Sequence, residues 1–137
     1  MMSTEANKAL VRRFGEEFWD RGNLSIADEL MAPGASITLS HREVNIATLK
    51  SFARAWREAF PDWQSPCEES VAEGERVTEH WTGRGTHRGE YRGIAATGRQ
   101  VVMRGATFYR IAAGKIVELR SQPDLLTLLE QLGVTLP

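Results

Sequence analysis

Glu79 lies in a stretch, 76–86, that alternates like a strand, and it shares a face with Val77 and Trp81. That face is apolar. A carboxylate there loses water, and its pKa moves up toward the range useful for moving protons. A turn centred on Gly74 sets Glu69 across from Glu79, and two close carboxylates push one of the pair higher. The competing readings put both on a solvated face, because charged side chains are almost never buried unpaired, or shift the hairpin register by one. His41, after the first predicted strand, is of the residue type that titrates near neutral pH; the alternative is a loop histidine in water. Tyr109, Thr107 and Ser121 carry hydroxyls suited to orienting a carbonyl or stabilising an enolate. They are equally suited to bonding one another or ordered water. His87 sits in a glycine-flanked turn, Gly85 to Gly89, where backbone hydrogen bonding is its expected role, and His80 falls on the face opposite Glu79. Three scattered histidines and one cysteine give no metal-ligand spacing. Asp124 is expected to cap the last helix.

These residues need elements to position them. Leu10, Phe14 and Phe18 recur at steps of four beside Val11, with charges elsewhere, which predicts an amphipathic helix capped by Ser3 or Thr4 and left at Gly22. A short helix opening at Ser25 is expected to stop at Pro33-Gly34, before a strand through Ala35, Ile37 and Leu39. Leu49, Phe52, Ala53, Trp56, Ala59 and Phe60 form the stripe of a third helix, capped by Asn45 and ended by Pro61, with 42–44 read as loop before it. Extended segments follow over 67–72, 76–86, 100–111 and 115–121, and a last helix starts near Pro123 and closes at Gly133. Helices first and then an antiparallel meander make an α+β sheet with helices on one face. A three-residue turn at 112–114 places Thr107 opposite Leu119 and turns Gly105, Thr107, Tyr109, Val117, Leu119 and Ser121 inward. Phe108 and Ile116 then face outward among charges, consistent with a sheet face shared between two copies of the chain.

The 137 residues suit one domain over 1–137, with 42% hydrophobic and 26% charged residues. A net charge of -1 argues against a nucleic-acid binder. No apolar run is long enough to span a membrane. The start, Met1-Met2-Ser3-Thr4-Glu5, lacks a secretory core, and the lone Cys67 fits a reducing compartment, so a cytoplasmic location is expected.

Three stretches carry a family resemblance. They are Asn7-Lys8-Ala9-Leu10-Val11-Arg12-Arg13-Phe14 with Gly22-Asn23-Leu24; Gly85-Thr86-His87-Arg88-Gly89-Glu90-Tyr91-Arg92-Gly93-Ile94 with Thr97-Gly98-Arg99; and Gly114-Lys115-Ile116-Val117-Glu118 with Leu129-Glu130-Gln131-Leu132-Gly133. Together they resemble SnoaL-like polyketide cyclases of the nuclear-transport-factor-2-like superfamily. The resemblance implies a cone-shaped, curved antiparallel sheet with helices on its concave face and a pocket for a small apolar or polycyclic ligand; the homodimer is expected from Phe108 and Ile116. A cone does not fill its wide end, so Phe14, Trp56, Phe60, Trp63, Met103 and Leu119, with Thr107 and Ser121, are the expected lining. The family closes rings by aldol condensation without cofactor, using an Asp on the last strand and an assisting His on the strand before. Those positions fall on Ser121 and Thr107, and a serine hydroxyl is too weak a base near neutral pH to stand in for a carboxylate. The resemblance therefore implies the fold and pocket, while Glu79, His41 and Tyr109 become the catalytic candidates. A non-catalytic binding or dimerisation module is the rival expectation.

Overall fold

The structure, a computed structural model, describes residues 3–135; of the expected unit over 1–137, Met1, Met2, Leu136 and Pro137 lie outside the described residues. Helix α1 (Thr4–Gly15) starts where the Ser3 hydroxyl accepts the Ala6 N–H at 3.1 Å. It runs on as a wider π-helical turn over Glu16–Asp20. Val11, Phe14 and Phe18 are wholly buried, and the rings of Phe14 and Phe18 stack 5.0 Å apart. Each such side chain contributes roughly 1.5–3 kcal/mol by leaving water. Gly22, at φ 71°, releases the chain.

Helix α2 (Ile26–Leu30) is shorter than expected, and strand β1 (Met31–Leu39) begins at once, with Pro33 and Gly34 inside it. The strand tolerates Pro33 because its pairing is interrupted between Met31 and Ser36, where no ladder asks for the missing N–H. Residues 42–44, expected as loop, form a short strand β2 (Arg42–Val44) that pairs back onto β1. Helix α3 (Ile46–Ala59) is capped as expected, the Asn45 side-chain oxygen accepting the Thr48 N–H at 2.8 Å. Strands β3 (Cys67–Glu73), β4 (Arg76–Thr86), β5 (Gln100–Ala112) and β6 (Lys115–Pro123) complete the meander. Helix α4 (Leu125–Gln131) opens at Asp124, whose carboxylate accepts the Thr127 N–H and hydroxyl at 3.1 and 2.7 Å. These bonds hold the Asp124 carboxyl below its usual pKa.

The six strands form one curved sheet in the order β2-β1-β6-β5-β4-β3. Neighbours are antiparallel except β1 and β6, which run parallel. Both expected hairpin registers shift. The turn between β3 and β4 has two residues, with Glu73 paired to Arg76, so Ser70 rather than Glu69 lies across from Glu79. Glu69 is exposed, and the expected carboxylate pair does not form.

The turn between β5 and β6 also has two residues, Ala113 and Gly114, both at positive φ as a tight hairpin turn requires. An extra residue then bulges out of β6 between its pairings with Arg110 and Ile111. The two offsets together leave the expected inner set facing inward beyond the bulge, but they bring Thr107 opposite Ser121 instead of Leu119. On the turn side they flip the face: Ile116 is fully buried, packed in the core rather than facing outward, while Phe108 is half-buried under the Arg120 guanidinium. No helix among the described residues is long and apolar enough to cross a membrane.

Candidate functional site

The apolar interior falls into two clusters. One lies under α1 and β1 around Phe14, Phe18, Ile37 and Tyr109, and the other lies under α3 and α4 around Trp56, Phe60, Trp63 and Leu128. Between them a partly open cavity of ≈ 80 Å³ remains. Its floor is a row of residues crossing the sheet: Glu79 on β4 pairs with Thr107 on β5, which pairs with Ser121 on β6. Tyr109, two residues along β5 from Thr107, projects from the same face. The walls are aromatic, including Trp19, Phe52, Trp56 and Trp63 from the helical side.

Two glycines shape that floor. Trp81 lies flat across Gly105, where any Cβ would collide with its ring, and from there its indole N–H donates to the Thr107 hydroxyl oxygen at 2.9 Å. Trp63 lies across Gly83 in the same way. Because Thr107 accepts from Trp81, its own proton is left to donate. The hydroxyls of Thr107, Tyr109 and Ser121 donate to no protein acceptor among the described residues, and all three residues line the cavity.

Glu79 is 6% exposed. Burial raises its carboxyl pKa above the usual glutamate value; the neighbouring Cys67 thiol and the Arg12 guanidinium pull it partly back, and Glu16 adds to the rise. Cys67 in turn is held as a thiol by burial and by the neighbouring Glu79. The Tyr109 phenol is pushed well up, first by complete burial and then by Glu79 and Cys67, so it stays protonated and can only donate or accept through a neutral O–H. A desolvated carboxyl thus shares an apolar chamber with three hydroxyls.

Of the residues singled out in the sequence, Glu79, Tyr109, Trp56, Trp63, Met103, Thr107 and Ser121 line this cavity. Phe14, Phe60 and Leu119 are buried in the neighbouring core and do not line it. His41 sits exposed in the turn between β1 and β2, away from the lining, so the structure does not bring it to Glu79. His87 is fully buried; the Thr97 N–H donates to its Nδ1 at 3.2 Å and the Thr97 hydroxyl lies 3.0 Å away, a structural role in the 87–99 loop. His80 is exposed on the outer face.

Sequence reasoning missed several lining residues. Phe52 and Trp81 were visible, one on the α3 stripe and the other on the face of Glu79. Trp19 stands outside the helical stripe and reaches the cavity from the π-helical turn. Cys67 is brought in by a bulge: the register slips between Cys67 and Glu69, so Cys67 rather than Glu68 lies opposite Trp81. That slip keeps a second carboxylate out of the chamber and puts a thiol next to Glu79. Among the described residues no cluster of histidine, cysteine and carboxylate side chains could hold a metal ion.

The chain is similar to proteins whose structures are solved. AclR from Streptomyces galilaeus, to which a hydroxylase activity is ascribed, shares 30% identity with a TM-score of 0.87, over 98% of this chain and 100% of that one. IdmH from Streptomyces antibioticus, assigned as a polyketide cyclase, shares 27% identity with a TM-score of 0.81, over 97% and 100% of the two chains. A protein from Jannaschia sp. CCS1, assigned as a SnoaL-like polyketide cyclase, has the same fold, with 24% identity and a TM-score of 0.88 over 99% of each chain. A search of curated protein sequences finds no match. The sequence model of the SnoaL-like polyketide cyclases matches residues 9–132. With that match spanning nearly all of its length, the chain belongs to the SnoaL-like polyketide cyclase family.

Proposed function

We propose that this protein is a cofactor-free acid–base catalyst acting on a small, largely apolar ligand of the polyketide type. Glu79 removes a proton from carbon next to a carbonyl, and the hydroxyls of Thr107, Tyr109 and Ser121 donate to the oxygen as enolate charge develops there. Return of the proton at another atom gives isomerisation. Attack of the enolate carbon on a second carbonyl, whose oxygen takes the proton back from Glu79, gives cyclisation, and loss of a neighbouring hydroxyl, which leaves as water with that proton, gives dehydration.

One observation carries this reading: Glu79 is the single carboxylate lining the inner cavity among the described residues, and it lies directly across the ladder from Thr107. The resemblance puts the family's Asp at Ser121 and its His at Thr107, and these two are cross-strand partners. The base therefore stands on the far side of Thr107 from its usual place. A non-catalytic binding module of the same fold is the second reading, favoured by the Ser and Thr at those two positions. We extend the proposal to one domain over 1–137, a cytoplasmic location, and a homodimer packed through the outer sheet face that carries Val102 and Phe108.

Solvent-deuterium exchange into 2-tetralone, a flat ketone with an acidic C–H, separates the two readings. The catalyst accelerates exchange, and Glu79→Gln loses roughly 10²–10⁴-fold of that acceleration. Exchange no faster than in buffer, or equally fast with Glu79→Gln, leaves the binding module standing. Sedimentation of the chain as a monomer at micromolar concentration counts against the dimer.

A further inference from the structure

The inner cavity is small for a polyketide. At ≈ 80 Å³ it falls below the roughly 300–1,000 Å³ typical of pockets that enclose a drug-sized ligand. It is not isolated. A wider polar groove of ≈ 580 Å³ runs over α1 and the chain leading into β3, and Gly15, Ser65, Cys67 and Glu79 line both spaces. Glu79 therefore stands at a neck, with aromatic walls on one side and Arg12, Glu16 and Gln64 on the other.

At Gly15, which lines both spaces, there is open room. Gly15 has helical dihedrals, φ −62° and ψ −45°, which any residue adopts, and a Cβ built on it meets nothing within 4 Å. Neither backbone nor packing asks for glycine there, and glycine in a helix is less favourable than alanine. What its missing side chain leaves is room. Beyond the neck, Arg12 is exposed and faces Cys67 and Glu79. Like several other arginines, Arg12 forms no salt bridge among the described residues; the carboxylate it acts on is that of Glu79, and Glu16 follows it by one turn. Asp20, further along the groove, is occupied by the Ser65 N–H and hydroxyl. A planar guanidinium so placed suits a carboxylate.

We propose that the ligand has two parts, a ring-sized apolar head in the inner cavity and a flexible acidic tail in the groove against Arg12, threaded past Gly15 so that the atoms joining them lie against Glu79. This deepens the function proposed above and rests on it for the chemistry at Glu79, but the threading itself is tested by binding alone. Toluene, 4-phenylbutan-1-ol and 4-phenylbutyrate present the head alone, the head with a neutral tail, and the head with an acidic tail. Calorimetric titration of the wild-type chain is expected to give 4-phenylbutyrate the highest affinity, about tenfold or more above the alcohol. Arg12→Gln, at an exposed position, erases the gap between acid and alcohol. Gly15→Leu weakens both tailed probes about tenfold or more, and Gly15→Ala stays near wild type, with circular dichroism verifying the helix in each variant. Equal affinity for acid and alcohol, or a folded Gly15→Leu chain that binds both unchanged, overturns the proposal. Neither result depends on proton transfer, so a failed exchange experiment with Glu79→Gln leaves it intact, and its own failure leaves the base assignment intact.

Discussion

At the scale of single residues, what distinguishes Glu79 is that burial works against its charge while the groups around it only partly compensate. A carboxyl whose folded pKa lies above its unfolded value holds its proton longer in the native state. Between those two values the folded chain binds more protons than the unfolded one, so stability falls as pH rises through that window and stays lower above it. Glu79→Gln removes the titration. Its melting temperature at pH 7 is therefore expected to exceed that of the wild type, and the gap is expected to close as pH falls below the ordinary glutamate range; a gap of the same size at both pH values would mean that Glu79 is not desolvated. Activity is expected to fall in the same variant, which sets stability against function at one side chain. Glu79 was legible because period-two alternation put it on a face with Val77 and Trp81. Its partnership was not. Pairing with Glu69 depended on turn length and register, and a one-residue offset replaces a carboxylate neighbour with Ser70. Cys67 had no signal at all, since nothing in composition announces the bulge that swings it inward.

At the scale of elements, the meander sets the site through flat places in its pleat. Trp81 reaches Thr107 only because Gly105 between them has no side chain, and the resulting N–H···O bond fixes which way the Thr107 hydroxyl donates. Gly105→Ala is expected to push the indole off the sheet and cost about 1–3 kcal/mol in urea unfolding, with loss of the shielded indole N–H signal in the proton spectrum. Trp81→Phe removes the donor and also the part of the indole that covers Gly105, so its expected cost is about 1 kcal/mol for the lost hydrogen bond plus a cavity contribution. Equal stability of Gly105→Ala and wild type would show that the ring has room to spare. Strand existence was readable from alternation, as were the Ser3, Asn45 and Asp124 caps. Register was not, because the last hairpin carries two compensating irregularities, a two-residue turn and a bulge. They cancel at Thr107 and Tyr109, which face inward as expected, and they fail to cancel at Ile116, which joins the core. The pairing of β2 onto β1 was equally hidden, since three residues are too few to show a period.

At the scale of the whole molecule, the curved sheet and its concave helices followed from ordered family motifs along nearly the full chain, and the solved relatives share that shape. What no motif conveyed was how the aromatic residues divide between filling and lining. Phe14 and Phe60 fill, while Trp19 lines the gap from the π-helical turn and Phe52 lines it from α3. One consequence reaches across the entire chain: it has four tryptophans, and Trp19, Trp56, Trp63 and Trp81 all line the same cavity. No tryptophan elsewhere adds emission from a remote site. An aromatic ketone that quenches indole fluorescence on contact, seated in that chamber, is therefore expected to remove most of the intrinsic emission saturably, with one binding constant. Filling the chamber from within, by Met103→Trp beside Gly83, is expected to weaken that quenching, since the added ring occupies the volume the ketone needs. A large unquenched fraction at saturation in the wild-type chain would place the ketone outside the cavity. Glu79 and its row of hydroxyls would then have no ligand within reach.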